Sequence, residues 1–134
     1  MIGLDTNVLL RYVVRDDRAQ AAAADAVMDS LTTDAPGFVT HVVLAELAWT
    51  LARTYRMDRN TRIKILQSLV ETESLEFEDG ESVVRALALA EEGADFADAL
   101  IAASGELFGI PEFVTFDRAA SRHLGWRLLE PAPA

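Results

Sequence analysis

The strongest constraint on this chain is its alternation of short apolar runs with longer amphipathic stretches. MIGL is a strand-length apolar run that ends at Asp5, and it is expected to be buried. Thr6 can cap a helix running through NVLLRYVV, and Asp16 and Asp17 open a second helix over about 17–31. Pro36-Gly37 reads as a turn and FVT as a short strand. His41 to Tyr55 has helical spacing, with apolar residues at 43, 44, 47 and 51, and Asp58 begins another helix to about Val70. LEFE is a strand candidate and Asp79 to Glu92 a helix. Gly93 breaks that helix, Asp95 can cap the next from Phe96 to Phe108, and Gly109 ends it. FVTF is a strand that ends at Asp117, followed by a short helix over 118–124 and a last strand, WRLLE. This order predicts an α/β fold, a central parallel β-sheet flanked by helices on both faces. The 134 residues suffice for one core and not for two, and no repeat, linker or compositional break divides them, so one domain over 1–134 is expected.

Four acids stand nearly alone among apolar residues: Asp5 in MIGLDTNVLL, Glu46 in VVLAELAWTLA, Asp98 in DFADALIAAS and Asp117 at the end of FVTFD. A carboxylate in apolar surroundings is costly unless a cation satisfies it. Glu46 is the only charge between His41 and Arg53, and its neighbours suggest a helix packed on several sides. Four such carboxylates converging in one fold would form an all-oxygen site for a hard divalent cation, and such a site performs phosphodiester chemistry with metal-activated water. In open parallel sheets ligands bind beyond the carboxyl ends of the strands, where Asp5 and Asp117 both fall.

Each acid also has a plainer reading. Asp, Thr and Asn are all favoured helix caps, so Asp5-Thr6-Asn7 can be a metal ligand with its neighbours or only a helix start. Glu46 can pair with an arginine from elsewhere. Asp95 and Asp98 share a face at a helix start, one as cap and the other as a first-turn acid. A strand-end acid such as Asp117 often begins a turn; Thr115 points to the same face and could bind a metal's water or a phosphate. An aspartyl-nucleophile phosphatase needs a second Asp two positions after the first, where this chain has Asn7. A receiver-like domain needs a late strand-end lysine, and the only lysine is Lys64 in a helix. There is no serine–histidine–acid arrangement and no phosphate-binding glycine loop. His41 and His123 read as structural, and Trp49, Tyr55 and Tyr12 as core or interface residues.

The net charge of −10 argues against a non-specific nucleic-acid binder. It is unevenly spread: 53–64 (RTYRMDRNTRIK) carries five basic residues and one acid, while 71–81 (ETESLEFEDGE) carries six acids and no base. The basic run is a solvated helix face or a grip on phosphates. An acidic domain also suits a basic protein partner. With no cysteine there is neither disulfide nor thiolate chemistry, which fits a reducing cytoplasm. Asp5 interrupts the first apolar run and no basic segment precedes it, so no signal peptide is expected; no run of about 18 or more apolar residues occurs, so no membrane span is expected either.

MIGLDTNVLLRY at the start, LAELAWTL in the middle, and ADFADALIAASG followed by VTFD near the end together resemble the PIN-domain family, and within it the VapC-type toxins of toxin–antitoxin pairs. The resemblance covers essentially the whole chain. It implies a Mg²⁺- or Mn²⁺-dependent endoribonuclease that is usually a homodimer, inhibited by a small antitoxin with a DNA-binding amino-terminal domain. By motif, Asp5, Glu46, Asp98 and Asp117 match the family's acidic quartet, Asp95 a further acid beside it, and Asn7 and Thr115 polar residues lining the same pocket. The apolar content from Asp58 onward and around Val42–Trp49 fits the homodimer. The alternative is a PIN-like module that binds RNA or protein without cutting, which would have no reason to keep all four acids.

Overall fold

The computed structural model describes residues 1–133. They fall into two compact units, Met1–Gly80 and the residues from Glu81 onward.

The amino-terminal unit contains β1 (Ile2–Gly3), α1 (Thr6–Val14), α2 (Arg18–Ser30), β2 (Gly37–Val39), α3 (His41–Arg53), α4 (Arg59–Val70) and β3 (Leu75–Phe77). The three strands form a parallel sheet in the order β1-β2-β3, with Ile2 opposite Gly37 and Gly37 opposite Leu75. Each strand-to-strand connection carries two helices and so makes the long crossover that parallel pairing requires. Helix α1 packs on α2 and α3, α3 on α4, and α4 on β3. The helices form where apolar residues recur at helical spacing: Leu44, Leu47, Ala48 and Leu51 make the buried stripe of α3, and Ala21, Ala24 and Met28 that of α2. Leu44, Leu47 and Leu51 are completely buried, each contributing roughly 1.5–3 kcal/mol of transfer free energy. Asp17, Thr40 and Asp58 cap α2, α3 and α4 by accepting the amides of Gln20, Val43 and Thr61. Beyond α1, Arg11 donates to Asp16 at 2.6 Å and the Tyr55 hydroxyl donates to the same carboxylate at 2.8 Å, tying α1 to the end of α3.

The carboxy-terminal unit contains α5 (Gly80–Glu91), α6 (Phe96–Leu107), β4 (Val114–Thr115), α7 (Arg118–Leu124) and β5 (Arg127–Leu128). β4 and β5 run parallel, with Val114 opposite Arg127, and α7 packs on both strands and on α6. Trp126 stacks on Phe113 with ring centroids 5.2 Å apart. Gly93 follows α5 with φ 123°, and a Cβ there would lie 2.7 Å from His123 Cε1, so this turn needs glycine twice over.

The α/β class and the parallel sheet agree with the sequence pattern, and four details differ. The strands divide into a three-stranded and a two-stranded sheet, because strand periodicity says nothing about which strands are neighbours. β1 is exposed rather than buried, being an edge strand of only two residues, while Leu4 just after it is buried. Gly37 is the first residue of β2 rather than part of a turn. Helix α3 buries one stripe rather than several sides, and leaves Val42 and Trp49 75% and 58% exposed.

Gly37 has no room for a side chain: a Cβ would meet Leu4 Cδ1 at 2.8 Å, Leu31 Cδ1 at 2.9 Å and Leu75 Cδ2 at 3.1 Å. Gly37→Ala should therefore cost about 1–3 kcal/mol by overpacking the central strand, read as a lower urea midpoint. An unchanged midpoint would contradict this packing.

Candidate active site

In the amino-terminal unit the site grows from the turn between β1 and α1. Asp5, not Thr6, holds the N-cap position of α1, with extended backbone at φ −78°, and its side chain makes no capping hydrogen bond. The plain reading of Asp5 as a side-chain cap therefore fails: its exposed carboxylate is not spent on the helix. Thr6 is the first helical residue and is only 5% exposed. A buried hydroxyl needs an acceptor, and Thr6 Oγ1 donates to Glu46 Oε1 of α3. The residue after Asp5 thus holds Glu46. Glu46 itself is exposed, since Leu44, Leu47, Ala48 and Leu51 turn the apolar face of α3 the other way. Its apolar sequence neighbours belong to that other face, so the argument from its desolvation does not apply. Asn7 is exposed and lines an open pocket of about 420 Å³ between α1 and α2, with Val8, Arg11, Gln20, Ala23, Ala24 and Val27.

In the carboxy-terminal unit two acids, Asp95 and Asp117, bear on a third, Asp98. Asp95 caps α6 by accepting the Asp98 amide at 3.0 Å. Asp98 is half-buried in the first turn of α6. Desolvation holds its carboxyl above the ordinary range, and the nearby charges of Asp95 and Asp117 push it the same way. Asp117 caps α7: its Oδ1 accepts the amides of Ala119 at 2.8 Å and Ala120 at 3.0 Å. The Thr115 hydroxyl oxygen accepts the Asp117 amide at 2.9 Å, which fixes the backbone at the strand end. Asp95 and Asp117 are thus structural caps as well as candidate site residues.

The candidate donors are carboxylate oxygens, which suit a hard divalent cation, and Asp98 sits among like charges that a cation would relieve. Among the described residues, no group of three or more His, Cys, Asp or Glu stands together closely enough to hold a metal ion. The fit to Mg²⁺ or Mn²⁺ is one of donor chemistry rather than of assembled geometry. Sequence reasoning missed Thr6 as the residue that positions Glu46; the signal was a hydroxyl one position after an acid, on the buried side of a helix. His41 Nε2 is buried without a hydrogen-bond partner, while the His41 amide donates to Glu78 Oε1 at 2.9 Å.

A family model described as PIN domain matches residues 2–123, and so runs through both units. No curated protein and no solved structure gives a match.

The two strand-end acids should separate on alanine substitution. Asp117→Ala removes two capping bonds and should cost about 0.5–2 kcal/mol, whereas Asp5→Ala removes none and should leave the melting temperature nearly unchanged. Equal losses would contradict the assignment. For Asp98 the folded carboxyl titrates above its unfolded counterpart, so stability falls as pH rises through the folded value. Asp98→Asn should therefore match or exceed the parent protein's stability at neutral pH, with the difference vanishing in acid. A loss at neutral pH would overturn that sign.

Proposed function

The chain belongs to the PIN-domain family, a family of nucleases, and from that premise we propose that it is a Mg²⁺- or Mn²⁺-dependent endoribonuclease serving as the toxin of a VapBC-type toxin–antitoxin pair. The observation that carries the reading is the pairing of an uncommitted Asp5 carboxylate with a Glu46 carboxylate held by Thr6. Under this proposal Asp5, Glu46, Asp98 and Asp117 are the catalytic, metal-holding acids of a PIN domain over 1–134. Asp95, Asn7 and Thr115 belong to its surroundings. A bound Mg²⁺ or Mn²⁺ supplies an acidified water for attack on phosphorus and charge stabilisation on the phosphoryl oxygens. The protein's own part is to present ligands. Asp5 offers a carboxylate that makes no capping bond, Thr6 holds Glu46, and Asp117 offers Oδ2 while Oδ1 caps α7. No protein nucleophile is required.

The same reading places the enzyme in the cytoplasm as a homodimer. No helix among the described residues is long and apolar enough to cross a membrane. The antitoxin would send an Arg or Lys to the acids, competing with metal, and lay an apolar segment in a groove between helices. What supports this docking is the pocket between α1 and α2, where Val8, Ala23, Ala24 and Val27 line one cavity with Asn7, Arg11 and Gln20.

Purified protein should cut RNA in Mn²⁺ or Mg²⁺ and stop in EDTA, and millimolar Mn²⁺ should raise its melting temperature. Asp5→Asn, Glu46→Gln, Asp98→Asn and Asp117→Asn should each lower the cleavage rate on the order of a hundredfold or more while the fold survives. Undiminished cleavage in EDTA would end the metal mechanism. RNA bound but never cut, in either metal, would favour the non-catalytic module.

A further inference from the structure

The run 71–81, with six acids and no base, has no part in the nuclease reading. The fold lays it along β3, which ends the order β1-β2-β3 and has no strand on its outer side. The register with β2 decides which backbone groups face outward. The Gly37 amide donates to the Ser74 carbonyl and the Glu78 amide to the Val39 carbonyl, so residues 74, 76 and 78 turn towards β2. The Leu75 carbonyl and the Phe77 amide and carbonyl therefore point away from β2, and no backbone group among the described residues pairs with them. Side chains alternate as well. Leu75 is buried and Phe77 half-buried on one face, while Glu76 and Glu78 are exposed on the other. Glu78 is committed: its Oε1 accepts the His41 amide at 2.9 Å, at the start of α3. Glu71, Glu73, Glu76 and Glu81 are exposed, and none of them joins an ion pair among the described residues.

We propose that the outer edge of β3 accepts an extended, cationic segment of a partner protein as an added strand, with Lys or Arg beside Glu73 and Glu76 and apolar residues beside Phe77. Main-chain bonds to Leu75 and Phe77 hold the segment, and its side chains alternate between faces as those of β3 do. Charge selects the occupant. Acids on an edge strand keep it from pairing indiscriminately, and a second copy of this chain would bring the same acids to the same edge. A strand that carries cations turns that repulsion into attraction. The added strand lies three strand spacings, about 14 Å, from β1, so it leaves the backbone that carries Asp5 uncovered. Binding there is independent of the nuclease reading.

The test uses the full chain and a short fluorescent peptide in which Lys and Val alternate. Its anisotropy should rise on binding, and the Phe77 amide should become protected against hydrogen exchange. The same peptide N-methylated throughout keeps its charge but can donate no ladder bond, and it should bind about tenfold more weakly or worse. A peptide with Glu in place of Lys should not bind. Glu73→Lys combined with Glu76→Lys, both at exposed positions, should weaken binding of the cationic peptide about tenfold or more. Equal binding of the N-methylated peptide, or no protection at Phe77, would reduce the effect to diffuse attraction by an acidic chain and overturn the added strand. Binding that survives both substitutions would overturn it too. If the two substitutions change the oligomeric state by light scattering and leave peptide binding intact, the edge belongs to a second copy and the cationic partner is refuted.

Discussion

Thr6 has almost no contact with solvent, and a hydroxyl so placed has to give its proton to an acceptor inside the protein. The acceptor is the Glu46 carboxylate. This one bond couples the first turn of α1 to the middle of α3, two helices that also pack on each other. It explains why an exposed glutamate on a long helix has a defined direction. Asp5, one residue earlier, holds the N-cap position of α1, and its side chain makes no capping bond. The strand sets the position of Asp5, the helix sets the position of Thr6, and Thr6 sets Glu46. A shift in the register of β1 against β2 would move all three.

The carboxy-terminal acids follow another rule, in which one residue serves backbone and site together. Asp95 and Asp117 each give a carboxylate oxygen to the first turn of a helix, and both bear on Asp98 electrostatically. Asparagine can replace a capping aspartate with little loss, because the cap needs only an acceptor oxygen. A divalent cation needs the charge as well. Backbone order and ligand charge are therefore separable at these positions.

Much of the fold was legible because it is written locally. Asp17, Asp58 and Asp95 announced the starts of α2, α4 and α6, and the leucine spacing of α3 announced its length. The candidate acids stand out in the sequence in the same local way, as lone charges in apolar runs. Their environment was not. The residues beside Glu46 in sequence lie around the helix from it, so an apolar neighbourhood in the sequence became an exposed side chain in the fold. The periodicity that predicted α3 already held the correction: a stripe at Leu44, Leu47, Ala48 and Leu51 leaves Glu46 and Trp49 outside. Thr6 and the division of strands into two sheets were out of reach for a different reason. They depend on which distant segments meet, and no local pattern encodes that.

The parallel sheet also sets how much entropy the chain must lose to assemble. Ile2 finds its partner at Gly37 and Gly37 at Leu75, so both contacts of the three-stranded sheet close a long loop containing two helices. Closing such loops costs chain entropy before any ladder bond repays it. The α1–α2 and α3–α4 pairs, by contrast, join neighbours in sequence and need only short closures. Contacts within each helix pair are therefore cheap in chain entropy, and those of the sheet are costly. The bond between Thr6 and Glu46 joins helices from different pairs and so belongs with the costly, long-range contacts.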